Sequence, residues 1–118
     1  MPLSNTTITA GHVAPAVEAL TDAATIAVHA AAANDFRVTI SASRTMANPT
    51  GPVDGQRITF HVTQGSGGGF TLSWQSQYKF GAAGAPTLSS GSGATDVLGF
   101  IYNAALGGWL FVGAAFGF

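Results

Sequence analysis

The chain has 118 residues and a net charge of −1, enough for one domain with a buried core. Hydrophobic residues make up 47% of it and charged residues only 8%, which excludes a disordered segment. With Arg37, Arg44, Arg57 and Lys79 as its only cations, a basic nucleic-acid surface is excluded as well.

No cysteine is present, so neither disulfides nor thiolate metal sites contribute. No run reaches about 18 apolar residues, and no transmembrane helix is expected. Residues 1–6 lack the basic start and apolar run of a secretory signal. Sixteen glycines point to a β-rich chain with many tight turns. Charges this sparse protect weakly against association. Either the protein aggregates, or copies of itself or a partner cover much of its surface.

In chain order, residues 1–12 carry the β-branched run Thr6-Thr7-Ile8-Thr9 and read as an extended arm, frayed or docked on a neighbour. Residues 13–118 read as a single domain. Within 13–33, Val13, Val17, Leu20 and Ala24 fit helical spacing, whereas Thr25-Ile26-Ala27-Val28-His29 alternates like a strand. The reading is a short turn or helical piece near Pro15–Leu20 followed by a strand at 25–29. A single helix over 16–33 is the alternative. Phe36-Arg37-Val38-Thr39-Ile40-Ser41 is a clean strand with Phe36, Val38 and Ile40 inward. Residues 44–47 form a short strand, closed by Pro49 and Pro52.

Asp54-Gly55 then turns the chain into Arg57–Gln64, where Ile58, Phe60 and Val62 face one way and Thr59, His61 and Thr63 the other. After the glycine tract 65–69, Phe70, Leu72 and Trp74 alternate with Thr71 and Ser73. The two runs read as an antiparallel hairpin with a long, loose tip. Tyr78-Lys79-Phe80 leads into a small-residue stretch, 81–94, with a brief edge pairing at Thr87-Leu88. Residues 96–102 and 109–113 are apolar on both faces. They read as strands joined by a hairpin loop at 103–108, the first of them central and covered on each side. The last residues stay apolar through Phe116 and Phe118, which either tuck into the core or make a subunit contact.

Catalytic chemistry is not indicated. His12, His29 and His61 do not by their spacing form a metal site. Asp54 and Asp96 each stand at a strand start and suit turn capping. Gly65-Ser66-Gly67-Gly68-Gly69 lacks the Lys-Ser/Thr ending of a phosphate loop. Trp74, Tyr78 and Trp109 could stack on a sugar ring, but core or interface packing is the plainer reading. No catalytic residue, cofactor or metal is assigned, and the chain does not read as an enzyme.

The succession Asn34–Ile40, Asn48-Pro49, Asp54–Phe60, Gln64, Pro86–Ser89, Asp96–Leu98, Phe100–Tyr102, Trp109 and a glycine-phenylalanine end resembles a family of small virion structural modules of tailed phages. The match spans roughly residues 20–118 and departs from the family at glycines 65–69, where relatives often carry a more polar turn. The resemblance implies an all-β sandwich working as a trimer or other homo-oligomer on the virion. It implies capsid decoration, with the major capsid protein as partner and neither nucleic acid nor membrane involved. The alternative is a receptor- or glycan-binding module of a tail fibre or baseplate.

The resulting expectation is a homotrimeric antiparallel β-sandwich, Greek-key or jelly-roll-like, of about eight strands. Its core face should carry Ile26, Val28, Phe36, Val38, Ile40, Ile58, Phe60, Val62, Leu72, Leu98, Phe100, Tyr102 and Phe111. Its assembly contacts should be Thr7, Ile8, Trp109, Phe116 and Phe118.

Overall fold

The computed structural model describes residues 16–118. The expected arm, with Thr7 and Ile8, lies outside the described residues. Among the described residues nine strands are formed and no helix. They are β1 (Val17–Ala19), β2 (Thr25–Ile26), β3 (Asp35–Ile40), β4 (Arg44–Met46), β5 (Arg57–Gln64), β6 (Leu72–Trp74), β7 (Tyr78–Lys79), β8 (Thr95–Asn103) and β9 (Gly108–Ala115).

Two sheets result, a large one in the order β1-β3-β5-β8-β9-β7 and a small one in the order β2-β4-β6. The all-β expectation holds, but the sheets are mixed rather than antiparallel. β1, β3 and β5 run parallel, as do β2, β4 and β6, and β7 is parallel to β9. Only β5–β8 and β8–β9 are antiparallel. Parallel neighbours cannot be joined by a tight hairpin and need a long return. Here the return path is itself a strand of the other sheet. The first six strands alternate between the sheets, so the chain winds through three stacked turns before β8 and β9 close the large sheet as a hairpin.

The expected hairpin of 57–64 with 70–74 is therefore not formed. β5 pairs with β3 and β8, while β6 pairs with β4 in the small sheet. The glycine tract carries the chain across, and it is pinned rather than loose. Gly65 N–H donates to Ile40 O (2.8 Å) and Gly69 N–H to Ser90 O (2.8 Å). Gly68 has φ +60°, and a Cβ there would collide with the Ser90 carbonyl oxygen. The Gln64 carboxamide, buried at the end of β5, donates to Phe70 O (2.8 Å) and accepts from Phe70 N–H (3.1 Å). It thus satisfies backbone groups that no strand reaches.

Among the described residues no helical piece precedes β2, because Val17–Ala19 is a strand against β3. Alanine's helix preference is worth only tenths of a kcal/mol per residue, and edge pairing overrides it. β2 is short, but His29 extends it by an isolated parallel bridge to Thr50. Residues 87–88 form no strand.

The core lies between the sheets. Phe60 stands at its centre, its ring 5.7 Å from Phe36, 5.8 Å from Trp74, 6.0 Å from Tyr78 and 5.8 Å from Phe100. Phe36 and Phe60 are in register on adjacent parallel strands, so the pleat itself stacks them. Ten of the expected core residues are buried; Leu72, Tyr102 and Phe111 are only partly so. Met46, Tyr78 and Trp109 join the buried set.

A polar clasp ties the β1–β2 connection to the small sheet. The Asp22 carboxylate accepts from Arg44 Nε (2.8 Å) and Nη2 (3.1 Å) and from Ser41 N–H (3.2 Å) and its hydroxyl. Arg44 is thus paired and mostly covered. The Arg44 hydrogen bond, with help from Ser41, holds Asp22 at about 2, below its ordinary 3.8. A carboxylate depressed on folding stabilises the fold above its unfolded value, and that contribution is lost as pH falls from about 4 towards 2. After solvent screening, Asp22→Asn is expected to cost about 1 kcal/mol at neutral pH. In denaturant titrations the difference from the parent should shrink below pH 4.

Candidate interaction surface

Along β3, β5 and β8 the odd-numbered residues point away from the core; on β9 the bulge shifts the alternation, so that Leu110 faces outward before it and Gly113 and Ala115 after it. Register places them in rows. Asp35, Thr59, Gly99 and Gly113 form one row, and Arg37, His61, Val97 and Ala115 the next. Thr39, Thr63 and Thr95 form a third. The outer face is therefore polar over β3 and β5 and apolar over β8 and β9.

On the polar half, His61 Nε2 lies 3.0 Å from Asp35 Oδ2, and Arg37 Nε donates to Asp35 Oδ1 at 2.9 Å. The Arg37 hydrogen bond, assisted by His61, holds the Asp35 carboxyl below its usual range. Thr63 and Thr95 hydroxyls bond each other at 2.7 Å. Arg37, His61, Thr63 and Thr95 border an open groove of about 420 Å³ with Thr39 and Ala19. Asp35 orients His61 as an acid orients a general base. The nearby threonine hydroxyls are paired with each other and not with His61. Parallel register is what brings Asp35 to His61, and alternation within each strand carried no signal of it.

The other polar residues singled out in the sequence do not converge. His29 Nδ1 meets Thr50 Oγ1 at 2.9 Å. Asp54 accepts from Ala104 N–H at 3.0 Å, where β8 ends. Asp96, near the start of β8, is buried and accepts from Ser89 N–H (2.6 Å), Ser89 Oγ–H (2.7 Å) and Gly117 N–H (2.9 Å). The length of β8, roughly 25 Å, separates the two carboxylates. Among the described residues no three metal-ligating side chains cluster. His12 lies outside them.

The aromatic trio does not form a surface platform. Tyr78 is buried and donates its hydroxyl to Ala47 O at 2.8 Å; burial raises its pKa far above the ordinary value. Trp74 stacks edge-on against Tyr78 and Phe80 in the core. Trp109, expected among the assembly contacts, is 0% exposed and packs on Tyr102 at 4.9 Å. On the inner face of β9 its ring is enclosed by its own chain, which makes it a packing residue.

The apolar half differs from expectation in a second way. β8 is central, between β5 and β9, but only its inner residues Asp96, Leu98 and Phe100 are buried. Val97 and Ile101 on its outer face, and Leu110 on that of β9, remain partly exposed, and Val112 is 60% exposed. The described residues fold into two layers, and none of their elements covers this face.

The residues after β9 continue the surface. Phe118 and Thr95 exchange both backbone hydrogen bonds (2.9 and 3.0 Å), and Asp96 holds Gly117. The backbone is tied down while the side chains of Phe116 and Phe118 stay 46% and 72% exposed. Of the two expectations for these phenylalanines, burial in the core is not what occurs. Comparison with protein-family models, with curated proteins and with solved structures finds no match.

Proposed function

We propose that this chain is a phage virion structural protein of the capsid-decoration type. In this reading it binds the capsid surface as a homo-oligomer, contacts the major capsid protein and reinforces the shell. The family resemblance of residues 20–118 suggests the setting. The observation that carries the reading is the uncovered apolar surface of Val97, Ile101, Leu110, Val112, Phe116 and Phe118 in a chain with 8% charged residues. Apolar surface held in fixed positions favours association, because burying it releases roughly 25 cal/mol per Å². The glycan-binding alternative has no comparable support, since the aromatic rings that would stack on a sugar face inward.

Copy number tests the reading. Particles carrying this protein, purified and quantified on a stained gel, are expected to hold hundreds of copies, as a head lattice requires. A few copies per particle would move the protein to the tail, and absence from particles would end the virion reading.

A further inference from the structure

The outer edge of β9 is left open along its second half. β9 runs to Ala115, but β7, its outer neighbour, pairs only with Trp109 and Leu110. Beyond Lys79 the chain leaves the sheet edge, and Phe80 packs its ring on Phe100 and Phe111. Among the described residues no backbone hydrogen bond from outside the β8–β9 ladder reaches Val112–Ala115. A bulge opposite Gly99/Phe100 bends the strand there, yet the ladder resumes with Gly113 on Gly99, Ala114 on Leu98 and Ala115 on Val97. Thr95 and Phe118 extend it. The result is an ordered strand edge several residues long with an unused row of backbone groups.

Exposed strand edges are ordinarily guarded by lysine, proline or inward charge. This one carries none of them: from Val97 to Phe118 no side chain is charged and no proline occurs. Three of the six large hydrophobic side chains left exposed, Val112, Phe116 and Phe118, lie on this flank.

We propose that two copies join by antiparallel pairing of their β9 edges between Val112 and Ala115, with Phe116 and Phe118 of each copy covering the apolar outer face of the other. The occupant is a second copy for two reasons. An antiparallel edge is complementary to itself under a two-fold axis, and two uncharged flanks meet without repulsion. The area also suffices: partly exposed aromatic and aliphatic side chains supply on the order of 500 Å² per copy, so a pair reaches about 1,000 Å², the lower bound for a specific interface. The inference rests on the self-association in the proposed function and names its surface. It joins copies in twos, so a trimer would use another face.

The test is sedimentation velocity on the full chain from micromolar to millimolar concentration, with amide hydrogen exchange at both ends of that range. A concentration-dependent dimer is expected, with exchange at Val112–Ala115 slowing as the dimer forms. Val112→Lys should weaken dimerisation by roughly tenfold or more, while Val17→Lys, at the opposite edge, should leave it unchanged. If Val112→Lys fails to fold, the exchange experiment on the parent chain decides alone. A monomer throughout, a trimer without a dimer, or a dimer whose 112–115 amides exchange at one rate at all concentrations would each overturn the proposal. Capsid binding lost with the dimer intact would sink the virion reading and leave this one standing.

Discussion

Phe60→Ala is expected to destabilise the fold by about 3–5 kcal/mol, which for a domain of this size is a large share of its total stability. Phe60 is fully buried and touches rings from both sheets, Phe36 and Phe100 on the large sheet and Trp74 on the small one. Its removal takes away transfer free energy and leaves a cavity that four rigid rings cannot close by rotating. The effect should appear as a lowered denaturant midpoint with little change in slope. Phe60→Leu, which keeps most of the volume, should lose much less. Equal losses from the two substitutions would mean that the ring cluster is not the centre of the core.

The second large effect is expected at Asp96. Its carboxylate is 2% exposed and receives three hydrogen bonds, two from Ser89 and one from Gly117. Asp96→Ala would strand two backbone N–H groups and a hydroxyl around an apolar methyl. At the usual worth of hydrogen bonds to a charged group, the expected cost is about 3 kcal/mol. Asp96→Asn keeps one acceptor oxygen and should cost less. The functional consequence is local. Asp96 fastens Gly117, and through it the position of Phe116 and Phe118. Faster amide exchange at Gly117 and Phe118 in Asp96→Asn, without global unfolding, would show that the carboxylate sets how those rings are presented. Unchanged exchange there would show that the Thr95–Phe118 pairing suffices alone.

Both sites bear on what was readable in advance. Phe60 was legible as a core residue because it sits mid-strand in the alternation of Ile58, Phe60 and Val62. Asp96 was legible only as a turn-capping residue at a strand start. Its actual partners are Ser89, seven residues earlier in a segment without regular structure, and Gly117, twenty-one residues later. Trp109 misled in the other direction. On a strand apolar on both faces, nothing local tells which face turns inward, and the inner one took the tryptophan.

Local pattern determined the β class, most strand positions and which side chains of β3 and β5 enter the core, because a period of two belongs to each strand by itself. The scarcity of charge, also a property of the chain alone, marked the surface as one suited to being covered. Strand partnership was decided only in the tertiary structure. The same alternation serves a parallel or an antiparallel neighbour equally well, so the crossing at glycines 65–69, the meeting of Asp35 with His61 and the parallel winding of β1–β6 had no local signature. The open apolar face over β8 and β9 was likewise decided there, since it depends on the described residues forming two layers and not a third.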